Sequence, residues 1–130
     1  MGKYVLKVVK TGVKFVLKAD NGQVILDSEV YSGEAAALNG IESVRKNCLG
    51  EIEDQTVENF EEKGHPKFEL YLDKAGEYRF RLKAKNGQIV GASEGYKSWD
   101  NCMNGIKSVK ENAPEAEVFR QMAGGTEEKI

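Results

Sequence analysis

Three short motifs occur twice in this chain, in the same order and at one spacing, and that repetition limits what the chain can fold into. Lys18-Ala19-Asp20-Asn21-Gly22-Gln23-Val24 returns as Lys83-Ala84-Lys85-Asn86-Gly87-Gln88-Ile89. Ser28-Glu29-Val30-Tyr31 returns as Ser93-Glu94-Gly95-Tyr96, and Asn39-Gly40-Ile41-Glu42-Ser43-Val44 as Asn104-Gly105-Ile106-Lys107-Ser108-Val109, each 65 positions on. Gly12 and Gly76 stand 64 apart, so one residue has been gained or lost near Val13 or Glu77. Inside a strand such a change flips every later side chain to the other face, which places it in a turn, beside the glycine. The expectation is two copies, residues 1–64 and 65–130, folded together as one compact domain.

Each copy reads alike. Tyr4, Leu6 and Val8, and Phe68, Leu70 and Leu72, alternate with mostly polar neighbours and predict a half-buried first strand. A glycine turn leads to a second strand carrying Phe15 and Leu17, or Phe80 and Leu82. Asn21-Gly22 and Asn86-Gly87 predict type I′ hairpin turns, in which both central residues take positive φ. Third strands follow at Val24–Leu26 and Ile89–Gly91.

The period then changes from two to three or four. Ala37, Leu38, Ile41 and Val44, and Trp99, Met103, Ile106 and Val109, form apolar stripes of two helices that cover the sheet. Ser32 and Ser98 are the expected N-caps, and the helices should end near Asn47 and Asn112. Gly40 and Gly105 sit mid-helix at about 1 kcal/mol each relative to alanine, which implies close packing there. Short strands are expected at Gln55–Phe60 and Ala116–Arg120, a linker at Glu61–Pro66 and a frayed tail at Gly124–Ile130.

Composition removes several function classes. With 19 basic and 21 acidic residues, no global field draws the chain to nucleic acid or an anionic membrane. Cys48 and Cys102 are isolated, so neither a disulfide framework nor a zinc site is indicated, and reduced thiols fit a cytoplasmic location. The start, Met1-Gly2-Lys3-Tyr4, runs straight into a strand pattern without the apolar stretch of a signal peptide or membrane span.

Few residues suggest chemistry. His65 is the only histidine and lies beside Pro66 in the linker, where it reads as solvated. Glu29 and Glu94 recur, and a local role at the turn into the helix explains them better than an acid/base pair. Tyr31 and Tyr96 are expected between sheet and helix, with ligand stacking the alternative. Trp99 belongs to the apolar stripe and is expected in the core; exposed, it would be a binding anchor. Arg79, Arg81, Lys83 and Lys85 alternate with Tyr78, Phe80, Leu82 and Ala84 and so share one strand face, an electrostatic footprint of nucleic-acid binding. Glu69 is the expected cross-strand partner that would make it an ordinary solvated face. No glycine-rich phosphate loop precedes a helix, and no cofactor is expected.

The combination Asn-Gly-Gln, Ser-Glu-Gly-Tyr and Asn-Gly-Ile-x-Ser-Val, most complete from Lys67 to Pro114, resembles the YegP-like family of bacterial domains of unknown function, often found as tandem repeats. The resemblance implies an α+β fold of two tandem β(3)-α-β units. They would form one pseudo-two-fold antiparallel sheet with two covering helices, the last strand of each copy exchanged onto the other. Val30 where Gly95 stands, and Gly33-Glu34 where Ser98-Trp99 stand, depart from the pattern in the first copy. The function expected is a small soluble binding or structural module without catalysis. Its partner is open, protein or nucleic acid, with nucleic-acid binding through the basic strand face the alternative and a small-molecule pocket between the copies the third reading. Duplication already places two units in one chain, so a monomer is expected.

Overall fold

The computed structural model describes residues 2–130; Met1 of the opening segment lies outside the described residues. In chain order the elements are β1 (Lys3–Val9), β2 (Gly12–Lys18), β3 (Val24–Asp27), α1 (Glu34–Asn47) and β4 (Glu51–Asp54). There follow β5 (Lys67–Leu72), β6 (Tyr78–Lys83), β7 (Ile89–Ala92), α2 (Trp99–Asn112), β8 (Glu117–Gln121) and β9 (Glu127–Lys129). All strands join one sheet in the order β4-β5-β6-β7-β3-β2-β1-β8-β9.

The sheet is mixed, which corrects the antiparallel expectation. β4 runs parallel to β5, and β8 parallel to β1. Each helix carries the chain back across the sheet, so the strand after it runs in the direction of a first strand, and it pairs with the first strand of the other half. The halves meet through β3 and β7, joined only at Asp27 and Ala92. Gly91 is required at this crossing, since a Cβ there would lie 2.6 Å from Leu26 Cγ.

One face of the sheet carries the core. Phe15 stacks on Tyr31 and meets Tyr4 edge-on; Phe80 does the same with Tyr96 and Phe68. The helices lay Ala37, Ile41 and Val44, and Cys102, Ile106 and Val109, onto these rings, and all are buried. Each helix also packs on the other half: α1 on β7 and α2 on β3. Gly40 and Gly105 explain themselves here, because the tyrosine hydroxyls occupy the space a side chain would need. A Cβ at Gly105 would lie 2.5 Å from Tyr96 Oη. Gly105→Ala is therefore expected to destabilise by about 1 to 3 kcal/mol despite alanine's better helix propensity. A thermal melt checks this, and an unchanged or raised Tm would contradict it.

Several local expectations change. The hairpins are not type I′: Gly22 and Gly87 take φ +84°, but Asn21 and Asn86 do not join them. The turns run from Ala19 to Gly22 and Ala84 to Gly87, with Gly N–H donating to the Ala carbonyl, and each asparagine side chain accepts from the N–H two residues on. That side-chain bond favours a right-handed asparagine and leaves positive φ to glycine alone. The α1 cap is Gly33, with no side-chain bond, instead of Ser32, whereas Ser98 caps α2 by accepting from Asn101 N–H at 3.0 Å. The strand expected at Gln55–Phe60 lies earlier, at Glu51–Asp54, because Asp54 Oδ1 accepts from Thr56 N–H and closes a turn at that point. The expected frayed tail instead forms β9 on the edge of β8, turned by Gly124 and Gly125 at φ +91° and held by Glu127 between Lys3 and Lys18. Val8 and Leu72, expected half-buried, are exposed near the ends of their strands.

Candidate functional site

The basic side chains of β6 lie on the face away from the helices. Arg79 donates to Asp73 at 2.6 Å, Arg81 to Glu69 at 2.6 Å and lies over the Tyr71 ring, and Lys83 sits 3.3 Å from Glu69. Three of the four basic residues singled out by alternation are thus neutralised within the fold, and Glu69 is the partner the alternation anticipated. Lys85 stands beyond the end of β6 and is exposed.

Beneath this stripe lies a set of buried charges that the sequence did not announce. Lys67 Nζ is 2.7 Å from Glu53 and 3.3 Å from Glu69, with all three side chains at most 5% exposed. Glu53 also accepts from Gln55 Nε2 and from the Lys63 backbone N–H, so the linker 55–66 is fastened over it. Burial alone would raise the Glu53 carboxyl, but the hydrogen bonds from Lys67, Gln55 and Lys63 outweigh it and bring it down to about 2. Burial opposes ionisation of Glu69 as well, and Arg81 and Lys83 hold it below its ordinary value. At the matching positions of the first half stand Phe119, Val5 and Val16, an apolar cluster. No motif marked Glu53 or Lys67, because they meet only once β4 docks on β5.

A folded-state value below the unfolded one gives stability that is full above the ordinary carboxylate range and lost on acidification. Chemical denaturation midpoints are therefore expected to fall as pH drops from about 5 toward 2, with Glu53→Gln flattening that slope. An identical slope in the variant would contradict the assignment.

Trp99 is corrected from core to surface. It opens α2 at 40% exposure, and its Nε1–H donates to Asp54 Oδ2 at 2.9 Å. In the first half the same clasp is ionic, with Arg120 of β8 donating to both oxygens of Glu34, the first residue of α1, at 2.7 and 3.0 Å. Each helix start is thereby tied to an exchanged strand. Tyr96 is half-buried, between Phe80 and Gly105 as expected, and burial pushes its hydroxyl up.

In the Ser-Glu motif the serine is the working part. Ser28 and Ser93 Oγ accept from the Phe15 and Phe80 N–H at 2.9 Å and donate to the next carbonyl, while the Glu29 and Glu94 side chains are exposed. These residues border a half-open cavity of about 430 Å³ where β3 meets β7, whose lining includes Leu26, Ala92 and Arg79. His65 is exposed in the linker. Cys48 and Cys102 are buried free thiols, and burial pushes Cys102 up to about 12. Among the described residues no group of three His, Cys, Asp or Glu side chains is placed to hold a metal ion, and no helix is long and apolar enough to cross a membrane.

Two helices on one face of a nine-stranded mixed sheet define an α+β class. The chain belongs to the family described as Domain of unknown function (DUF1508), whose model matches residues 11–54 and again 73–119. It is 42% identical to the UPF0339 protein YegP of Yersinia pestis over 86% of this chain and 88% of that one. A UPF0339 protein of Methanosarcina acetivorans is 64% identical over 53 residues, 41% of this chain and 91% of its own. The solution structure of the protein of unknown function yegP from E. coli superposes with a TM-score of 0.76 at 32% identity, covering 94% of each chain. The resemblance to the YegP-like family is borne out, and with it an uncharacterised function.

Proposed function

We propose that this chain is a non-catalytic protein-recognition module of the cytoplasm, acting as a monomer. Its two β(3)-α-β copies, 1–64 and 65–130, are related by a pseudo-two-fold axis near the contact of β3 with β7. The duplication is supported by a family model that matches twice and by a relative about half as long that aligns to less than half of this chain.

The observation that carries the recognition reading is Trp99. A large indole 40% exposed at the end of the sheet, held rigid by Asp54, is the kind of anchor that concentrates binding energy. The nucleic-acid alternative loses ground because Arg79, Arg81 and Lys83 are already paired with Asp73 and Glu69. A phosphate would have to displace those carboxylates.

Affinity capture with wild type, Trp99→Phe and Trp99→Ala tests the reading. A protein retained by wild type and Trp99→Phe, and lost with Trp99→Ala of unchanged Tm, supports it; capture indifferent to Trp99 overturns it. Retention on single-stranded DNA at low ionic strength, fading with salt and with Lys85→Glu, would establish the alternative. Sedimentation should give a mass near 14.4 kDa.

A further inference from the structure

We infer that the free edge of β4 is a strand-addition site for an extended, basic segment of a partner protein; this rests on the recognition reading above and specifies its partner. Gln55 N–H donates to the Leu70 carbonyl at 2.8 Å. In a parallel ladder this turns the backbone groups of Glu51, Glu53 and Gln55 toward β5, and those of Ile52 and Asp54 outward. Val118 and Arg120 occupy the same places on β8, since Tyr4 faces Val118 as Phe68 faces Ile52. There the outward groups are taken by β9: Ile130 N–H donates to the Val118 carbonyl, and Arg120 lies opposite Glu128. Nothing takes those of Ile52 and Asp54 among the described residues. The linker 55–66 follows β4 but makes no backbone–backbone hydrogen bond to it, and its Lys63 N–H is spent on the Glu53 side chain. One half of the molecule thus completes its edge from its own chain, and the other leaves the equivalent edge open.

The side chains define the occupant. Asp54 stands where Arg120 stands on β8, so the residue facing it should be Lys or Arg, the reverse of Glu128. Glu51, 75% exposed and only loosely paired with Lys63 Nζ at 3.5 Å, adds a second negative charge on the other face. Half-buried Ile52 and the exposed Trp99 offer an apolar contact on the helix side. A second copy fits poorly, because pairing β4 with itself sets Glu51, Glu53 and Asp54 against the same acidic run, and like charges across strands destabilise. An extended segment mixing basic and apolar residues supplies both the backbone bonds and the charge.

The test titrates the full chain, followed by backbone amide NMR, with the capped peptide Gly-Thr-Lys-Lys-Lys-Val and with the same peptide carrying proline at the second lysine, the residue set opposite Asp54. The first is expected to shift and protect the Ile52 and Asp54 amides, and the proline peptide to bind about tenfold more weakly. Ile52→Pro removes an outward N–H and no ladder bond, so it should weaken binding about tenfold in a folded protein. Glu51→Lys, at an exposed position, should weaken it about threefold. Equal binding of the two peptides, indifference to both substitutions, or unchanged Ile52 and Asp54 amides overturns the inference. So does a doubled sedimentation mass with those amides protected in the absence of peptide, which would make a second copy the occupant. Partner capture that depends on Trp99 while the edge stays silent overturns the edge site and leaves the recognition reading standing; peptide addition that survives Trp99→Ala supports the edge and removes the indole.

Discussion

Replacing Lys67 with methionine is expected to destabilise the fold by about 3 to 5 kcal/mol at neutral pH. The lysine ammonium sits between Glu53 and Glu69, which face each other across β4 and β5. Without it two carboxylates remain nearly dry, with Arg81 and Lys83 reaching only Glu69. Acid should shrink the deficit, because protonating either carboxyl relieves the repulsion; urea midpoints at pH 7 and pH 4 measure both effects. Lys3 is the control. It holds the matching place on β1, is 38% exposed and pairs with Glu127, so Lys3→Met should cost no more than about 1 kcal/mol. Equal costs at the two sites would mean that burial does not decide the value of this pair.

The first half also shows how the cluster could be dispensed with. Phe119, Val5 and Val16 fill the positions of Glu53, Glu69 and Arg81 with apolar side chains. A buried ionic set is often no more stable than well-packed hydrophobic residues of similar volume. The cluster instead ties linker to sheet through the Lys63 N–H.

Phe80→Ala is expected to cost about 3 to 5 kcal/mol, as is Phe15→Ala at the matching position. Phe80 is fully buried, edge-on to Phe68 with centroids 5.9 Å apart and stacked on Tyr96 at 6.3 Å. Truncation removes both ring contacts and opens a cavity beneath α2, next to the rigid Gly105 approach, where the helix backbone cannot collapse inward past Tyr96. Because the two helices share one core across the halves, both truncations should lower a single cooperative transition. Two separate transitions, only one of them shifted by Phe80→Ala, would contradict a shared interior.

How much was legible in the sequence follows from the range of each interaction. The alternation of Tyr4 and Leu6, or Phe68 and Leu70, and the three-to-four spacing of Ile41 and Val44 report local periodicity, and β1, β5, α1 and α2 stand where that periodicity put them. The Ser98 cap and the positions of the glycine turns act within a few residues and are legible for the same reason, whereas the turn type is set by the asparagine side-chain bond. The mid-helix glycines imply close approaches, but that a tyrosine hydroxyl fills the gap follows only from how the helix packs. Trp99 was misplaced because its spacing fits the apolar stripe, while its burial depends on how far the sheet extends beneath the first helical turn.

Residue order alone lays out strands and helices, each with an apolar face that must be covered. Packing decides that β4 lies beside β5 and β8 beside β1, that the resulting sheet is mixed, and that β9 closes one edge while β4 stays open. Strand pairing uses backbone hydrogen bonds common to every residue, so a segment's sequence specifies which face it buries but not which neighbour it lies beside.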